Sequence, residues 1–191
     1  MPCRRPKIGL LQTIIYSGFC GVIATSSFAQ SAGKVIRIAM QSSENSFDCA
    51  VESSEFTGTL CDSIFDPLLQ YDHLARPALL QPRTAVAMPQ VSADGRIYTI
   101  KIKRGIRFSD HPVFNGKPRF LTARDYVYSL KRLLDPALKA QWQFLLDNKL
   151  QGADDVVAEA KRTNKFNYDR PFIGLEAPDD ETLIVRLKEP D

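Results

Sequence analysis

The chain has 191 residues, of which 25 are basic, 22 acidic, 44% hydrophobic and 9% aromatic. This balance is typical of one globular domain, or of the first part of a larger protein, and it excludes disordered, collagen-like and low-complexity chains. Residues 1–29 hold three basic residues and no acidic one, so the remainder carries 22 of each and is neutral. A neutral body has no general attraction for polyanions, which argues against nucleic acid as a partner.

Residues 1–29 have the three parts of a secretory signal peptide. Residues 1–7 are basic, residues 8–24 are largely apolar, and Ser27-Phe28-Ala29 places small side chains where a signal peptidase needs them. An uncleaved anchor is the alternative, but the apolar run falls short of the ~18 residues that favour a spanning helix. We predict export to the periplasm, cleavage before Gln30 and no stable membrane insertion afterwards.

The first elements after this leader are short. Val35 to Met40 alternates apolar and polar residues, which predicts a half-buried strand. Phe56 to Phe65 has apolar side chains close to helical spacing and stops before Pro67, which predicts a helix. Leu68 to Tyr71 is predicted to be a strand, and the proline-rich passage after it to be extended chain.

The clearest strand and the clearest helix lie in the middle of the chain. Arg96 to Lys103 follows a Ser-Ala-Asp-Gly turn and alternates apolar and polar residues, which predicts a strand. Thr122 opens a helix with Asp125 as its partner in a capping box, and the apolar residues after it line one face as far as Asp135-Pro136.

Four further elements are predicted in the last third of the chain. Ala137 to Leu146 is predicted to be a second helix with Trp142 turned inward, and Ala153 to Lys161 a short polar helix. Ile173 to Ala177 and Thr182 to Leu187 are predicted strands, joined by a Pro-Asp-Asp turn.

Cys49 and Cys61 are the cysteines that remain after removal of the leader. In an oxidising compartment they can close a small loop, and such a disulfide stabilises by about 3 kcal/mol in the chain-entropy model. Two free thiols, or a metal site shared with His73, are the alternatives. Zinc usually takes three or four ligands, more than this neighbourhood offers, so no metal and no cofactor is predicted.

Catalytic motifs are absent from the sequence. It contains no G-x-S-x-G, no Cys/His pair and no H-E-x-x-H, which predicts a protein that is not an enzyme. His73 and His111 are interpreted as surface residues. Two charged groups are interpreted as solvated surface: the basic residues Lys101, Lys103, Arg104 and Arg107, and the acidic turn Asp179-Asp180-Glu181.

Four motifs follow one another in a recognisable order. They are Phe65-Asp66-Pro67-Leu68-Leu69 with Tyr71-Asp72, Asp94-Gly95 with the strand to Phe108, Leu121 to Arg132 with Asp135-Pro136, and Asp179 to Thr182 with Leu187 to Pro190. In this order they resemble the family 5 bacterial extracellular solute-binding proteins, the oligopeptide-, dipeptide- and nickel-binding components of ABC importers.

The resemblance implies an α/β fold of the type II, two-lobed periplasmic-binding-protein kind, with a mixed sheet and flanking helices. Family members run to several hundred residues. Residues 30–191 are therefore expected to be the N-terminal part of lobe I in a fragment that lacks the hinge and the second lobe. The implied partners are a peptide or other small solute and the membrane permease of the transporter.

The resemblance also implies two ligand-binding segments. One is the loop before the first helix, at Ser53, Ser54, Glu55 and Phe56, where a peptide can take backbone hydrogen bonds. Helix capping by either serine is the alternative. The other is Trp142 in the cleft wall, with core packing as its alternative.

The function expected from the resemblance is capture of an oligopeptide by lobe closure and its delivery to the permease. A nickel-chelate or other small-solute binder of the same family is the first alternative. A secreted hydrolase fragment, or an exported remnant that transports nothing, is the alternative of another class.

Overall fold

The computed structural model describes residues 35–37, 39, 46–51 and 54–190. The chain divides into two units, Met1–Ala39 and Met40–Asp191. The predicted signal peptide, residues 1–29, lies outside the described residues, as does Ser53.

The predicted strand Val35 to Met40 is not formed at the positions that the structure describes. Residues 35–37 and 39 have neither helix nor strand, and Val35 and Ile36 are largely exposed. Ile38 and Met40 lie outside the described residues. Alternating polarity favours a strand only where a neighbouring strand supplies hydrogen-bond partners. The described positions of this segment take part in no strand pairing.

Helix α1 spans Glu55–Ile64, which confirms the helix predicted at Phe56 to Phe65. Ser54 caps its start, where the serine hydroxyl accepts a hydrogen bond from the Thr57 N–H at 3.2 Å. Thr57 is the one buried residue of α1, so this helix contributes little to a core.

Strands β1, Leu69–Tyr71, and β2, Leu80–Pro82, form a two-stranded antiparallel sheet. The strand predicted at Leu68 to Tyr71 is thus confirmed, whereas its partner is predicted only as extended chain. Pro82 lacks an N–H and is tolerated because β2 pairs on one side only. The prolines in this passage are the reason that the sequence pattern did not predict β2 as a strand.

The main sheet has four strands in the order β3-β4-β6-β5. Their ranges are β3 Gln90–Val91, β4 Ile97–Lys101, β5 Leu175–Glu176 and β6 Thr182–Arg186. Strand β4 pairs with β6 from Ile97 opposite Arg186 to Lys101 opposite Thr182, which confirms the predicted strands in shorter form. All pairings among the described strands are antiparallel, whereas a mixed sheet is expected. The β3–β4 and β5–β6 connections are short, and short connections make antiparallel hairpins.

Helix α2 spans Ala123–Leu134 and begins at the predicted capping box. The Asp125 carboxylate accepts hydrogen bonds from the Thr122 N–H at 2.8 Å and from the Thr122 hydroxyl at 3.1 Å. The Ala123 N–H donates to the Asp180 carbonyl at 2.7 Å. The turn between β5 and β6 is thereby tied to the start of α2.

The second helix predicted at Ala137 to Leu146 is wrong. This segment is a series of turns with one 3-10 turn at Gln143–Leu145. The Asp135 carboxylate accepts from the Ala137 N–H at 2.9 Å, and Lys139 has a left-handed backbone with φ 50°. The Asp135 contact is compatible with a helix start, because it caps an N–H that has no partner in a first turn, but the left-handed backbone at Lys139 ends any helix there.

Helix α3 spans Ala153–Thr163 and is amphipathic, which corrects the polar helix predicted at Ala153 to Lys161. Its inner face joins a first core cluster made of Leu134, Leu150, Ala153, Val156, Val157, Ala160, Phe166, Phe172 and Leu175. A second core cluster, under β4 and β6, is made of Ala85, Ile100, Ile102, Ala123 and Leu183. Among the described residues, no helix combines the length and apolar character needed to cross a bilayer.

Candidate functional site

The predicted ligand-binding loop lies at the start of α1. Ser54 and Glu55 are exposed, and Phe56 is half-buried. The Ser54 hydroxyl donates to the Thr57 Oγ1 at 2.9 Å in addition to accepting from the Thr57 N–H. The capping role weighed for Ser54 is therefore present. Its solvent-facing position leaves room for a ligand, and contact with a ligand stays a prediction.

Trp142 lies in the turns after α2 and is 42% exposed. It belongs to neither of the two core clusters. Its ring centroid lies 6.1 Å from that of Phe144, which is also exposed, so the two form an aromatic pair on the surface. No hydrogen bond or ring contact joins Trp142 to residues 54–56 in the part of the chain that the structure describes.

Cys49 and Cys61 form a disulfide with 6.1 Å between their Cα atoms. The bond ties the loop 46–51 to the last part of α1, so residues 54–56 lie inside a closed covalent ring. His73 is exposed, and the described residues contain no group of His, Cys, Asp and Glu that could hold a metal ion.

Asp48, next to the disulfide, forms an ion pair with Arg132 of α2. The Arg132 Nη1 and Nη2 atoms donate to the two Asp48 carboxylate oxygens at 2.9 and 2.5 Å. The hydrogen bond from Arg132 holds the pKa of Asp48 below its usual range, with burial opposing, and the pKa of Arg132 is correspondingly raised. No sequence pattern relates the two residues, because 84 positions separate them.

Lys131, the neighbour of Arg132, is turned into the protein and is only 5% exposed. Its Nζ donates to the carbonyls of Tyr168 and Arg170 at 2.6 and 2.8 Å. Burial lowers its pKa, and the charge of Asp169 opposes that change. Sequence reasoning missed this residue, although a lysine three positions before Leu134 on an amphipathic helix falls on the apolar face.

The basic residues interpreted as solvated surface are each engaged by the protein. Lys101 donates to Thr182 at 2.5 Å, and Lys103 to the Arg83 carbonyl at 2.7 Å. Arg104 forms an ion pair with Glu181, and Arg107 with Asp110. All four residues are nevertheless exposed, in keeping with their interpretation as solvated surface.

A cavity of about 590 Å³ lies between α2 and β5. It is lined by Arg124, Val127, Lys131, Asp169, Pro171, Leu175, Glu176, Ala177 and Pro178. Two of its charged side chains are held in contacts within the protein: Lys131 donates to carbonyls, and Glu176 forms an ion pair with Arg186. We assign no ligand to it.

Residues 80–191 match the model of a family described as "Bacterial extracellular solute-binding proteins, family 5 Middle". The dipeptide-binding protein of Lactococcus lactis subsp. cremoris is 27% identical over 183 residues, which cover 96% of this chain and 30% of that protein. The oligopeptide-binding protein OppA of Bacillus subtilis is 35% identical over 101 residues, which cover 53% of this chain and 16% of that protein.

The solved structure of Listeria monocytogenes OppA bound to peptide superposes with a TM-score of 0.57 and 28% identity, over 76% of this chain and 25% of that one. The expected fold class, a type II periplasmic-binding-protein-like fold, is thereby confirmed for the part that the chain covers. The chain spans less than a third of the length of these three relatives.

Proposed function

Because the chain belongs to family 5 of the bacterial extracellular solute-binding proteins, we propose that it is the substrate-binding component of an ABC importer and that its ligand is a peptide. The observation that carries this proposal is the alignment of 96% of the chain with a dipeptide-binding protein. The peptide bound to the Listeria relative supports it further. Both favour a peptide over the nickel chelate that is the alternative within the family.

In this proposal residues 30–191 form the N-terminal part of lobe I, and the hinge and second lobe are supplied from outside this range. The two lobes close on the peptide, and the closed form docks on the membrane permease. The protein acts by binding and release and not by catalysis. Capture takes place in the periplasm, after residues 1–29 have directed export and been removed, in keeping with the extracellular character of the family.

The proposed peptide contacts lie at the start of α1 and at the aromatic pair. Ser54 and Glu55 present an exposed polar edge to which an extended peptide backbone can hydrogen-bond, and Ser53 precedes it in the sequence. Trp142 and Phe144 present apolar area on which a peptide side chain can pack.

The test is isothermal titration calorimetry of the purified full-length, two-lobed protein with di-, tri- and pentapeptides and, separately, with a nickel chelate. We expect saturable heat with at least one peptide class. Heat with the chelate alone would assign the alternative ligand, and no heat with any peptide would contradict the proposal. We expect Trp142→Ala to weaken peptide affinity. Tyr71→Ala, which removes an exposed aromatic ring from β1, is the matched control and should leave affinity unchanged.

A further inference from the structure

Apolar packing does not hold helix α1 in place. Its residues belong to neither core cluster, and its last apolar residue, Ile64, is more than half exposed. Thr57, its one buried residue, is engaged by the Ser54 cap of the same helix. Something other than a hydrophobic face must therefore fix the position of this helix.

Two polar and covalent ties replace that packing. The disulfide joins Cys61 of α1 to Cys49. The residue before Cys49, Asp48, accepts hydrogen bonds from both terminal guanidinium nitrogens of Arg132. Among the described residues, this ion pair is the one side-chain hydrogen-bonded link from residues 46–64 to the rest of the molecule.

The far end of this link is rigid. Arg132 lies in the last turn of α2, and Leu134, two residues further along, is almost fully buried in the first core cluster. The Arg132 and Asp48 side chains are each about two-thirds buried, so water competes only partly for their hydrogen bonds. Two parallel hydrogen bonds fix orientation as well as distance, which a single bond would not.

We propose that Arg132 is a positioning residue for α1: acting through Asp48 and the Cys49–Cys61 disulfide, it fixes the position of the helix, and the peptide is captured at the start of that helix. The link to ligand capture rests on the proposed function. The fixed position of α1 does not depend on the proposed function. The position of α1 and its role in ligand capture are therefore tested by separate measurements.

Hydrogen exchange of the free full chain, read by mass spectrometry, tests the fixing of α1. In Arg132→Gln the amides of α1 should exchange about tenfold faster, while those of α3 keep the wild-type rate. Arg124→Gln is the matched control, because Arg124 is an exposed arginine of the same helix, 3.8 Å from Asp180. This substitution should leave the exchange rates of the α1 amides unchanged. The exchanged pair Asp48→Arg with Arg132→Asp should restore slow exchange in α1.

Reduction of the disulfide should also accelerate amide exchange in α1 of the wild type, because it breaks the same link between α1 and Arg132 at its other end. The proposal would be overturned if the α1 amides of Arg132→Gln exchanged at the wild-type rate. It would also be overturned if Arg124→Gln accelerated their exchange as much as Arg132→Gln. Peptide titration of the same variants tests the ligand part: we expect weaker affinity in Arg132→Gln and unchanged affinity in Arg124→Gln. Faster exchange with unchanged affinity would overturn the positioning role in capture. No binding by the wild type would instead contradict the proposed function and leave the exchange result standing.

Discussion

The Tyr168 hydroxyl donates a 2.6 Å hydrogen bond to the carboxylate of Asp135, across 33 positions of sequence. Asp135 is buried at the end of α2, and the carbonyl of the same Tyr168 accepts from Lys131, one turn earlier on that helix. The side chain and the main chain of Tyr168 are thus both held by α2. This double contact fixes the loop that carries Phe166 and Phe172 into the first core cluster.

Tyr168→Phe should lower the free energy of unfolding by about 1–3 kcal/mol, because it leaves a buried carboxylate without one of its donors. Urea denaturation of the two proteins at neutral pH measures the difference. Tyr71→Phe removes the hydroxyl of an exposed tyrosine and should change stability by less than about 0.5 kcal/mol. Equal effects of both substitutions would show that the Tyr168–Asp135 bond contributes nothing specific.

Lys131→Met should also destabilise the fold, by about 1–3 kcal/mol, because two partly buried carbonyls lose their donor. Methionine fills a similar volume, so the change isolates the polar contribution from that of packing. Lys117→Met, at an exposed position, is the control and should be neutral. A Lys131→Met protein as stable as the wild type would mean that the buried ammonium costs as much as its hydrogen bonds return.

The contribution of Asp48 should depend on pH. Its pKa is lowered in the folded state, chiefly by the hydrogen bond from Arg132, so its stabilisation is fully present above the unfolded-state pKa of about 3.9 and is lost as pH falls through the lower folded value. The stability difference between the wild type and Asp48→Asn should therefore be constant, at about 1 kcal/mol, between pH 5 and 7. It should shrink as the pH falls below about 4.

Urea denaturation between pH 3 and 7 measures this difference. The other carboxylates with lowered pKa, Asp94 and Asp179, are present in both proteins, so their titration cancels in the comparison. A difference that does not vary over the whole range would argue against an ion pair between Asp48 and Arg132.

Leu183→Ala should cost about 2–5 kcal/mol, since Leu183 is fully buried in the second core cluster and its truncation leaves a cavity. Leu74→Ala, at a largely exposed position, should be within about 0.5 kcal/mol of the wild type. Thermal or urea unfolding distinguishes the two. A small loss at Leu183 would mean that the β4–β6 sheet relaxes into the space.

The sequence by itself predicted the elements whose signals are local. The cap at Ser54, the capping box at Thr122 and the alternation in Arg96 to Lys103 depend on residues a few positions apart, and all three are present. The four ordered motifs were enough to indicate the family, which the match of residues 80–191 then showed.

Sequence reasoning failed where a local pattern competes with tertiary contacts. The apolar spacing in Ala137 to Leu146 suits a helix, yet the backbone at Lys139 is left-handed and the chain forms turns instead. The described part of Val35 to Met40 alternates like a strand and pairs with nothing. Hydrophobic periodicity describes what a segment could bury, and hydrogen-bond partners decide what it forms.

Only the tertiary structure decided the contacts that position the candidate site. Asp48 meets Arg132, and Lys131 meets the carbonyl of Tyr168, across 84 and 37 positions respectively. No periodicity or motif encodes such pairs, because they depend on how the helices and loops pack. The sequence determined the family and the local elements, whereas packing decided that Lys131 points inward and its neighbour Arg132 reaches Asp48 beside the disulfide. Adjacent residues on a helix project about 100° apart, so the placement of α2 gives the two cations different roles.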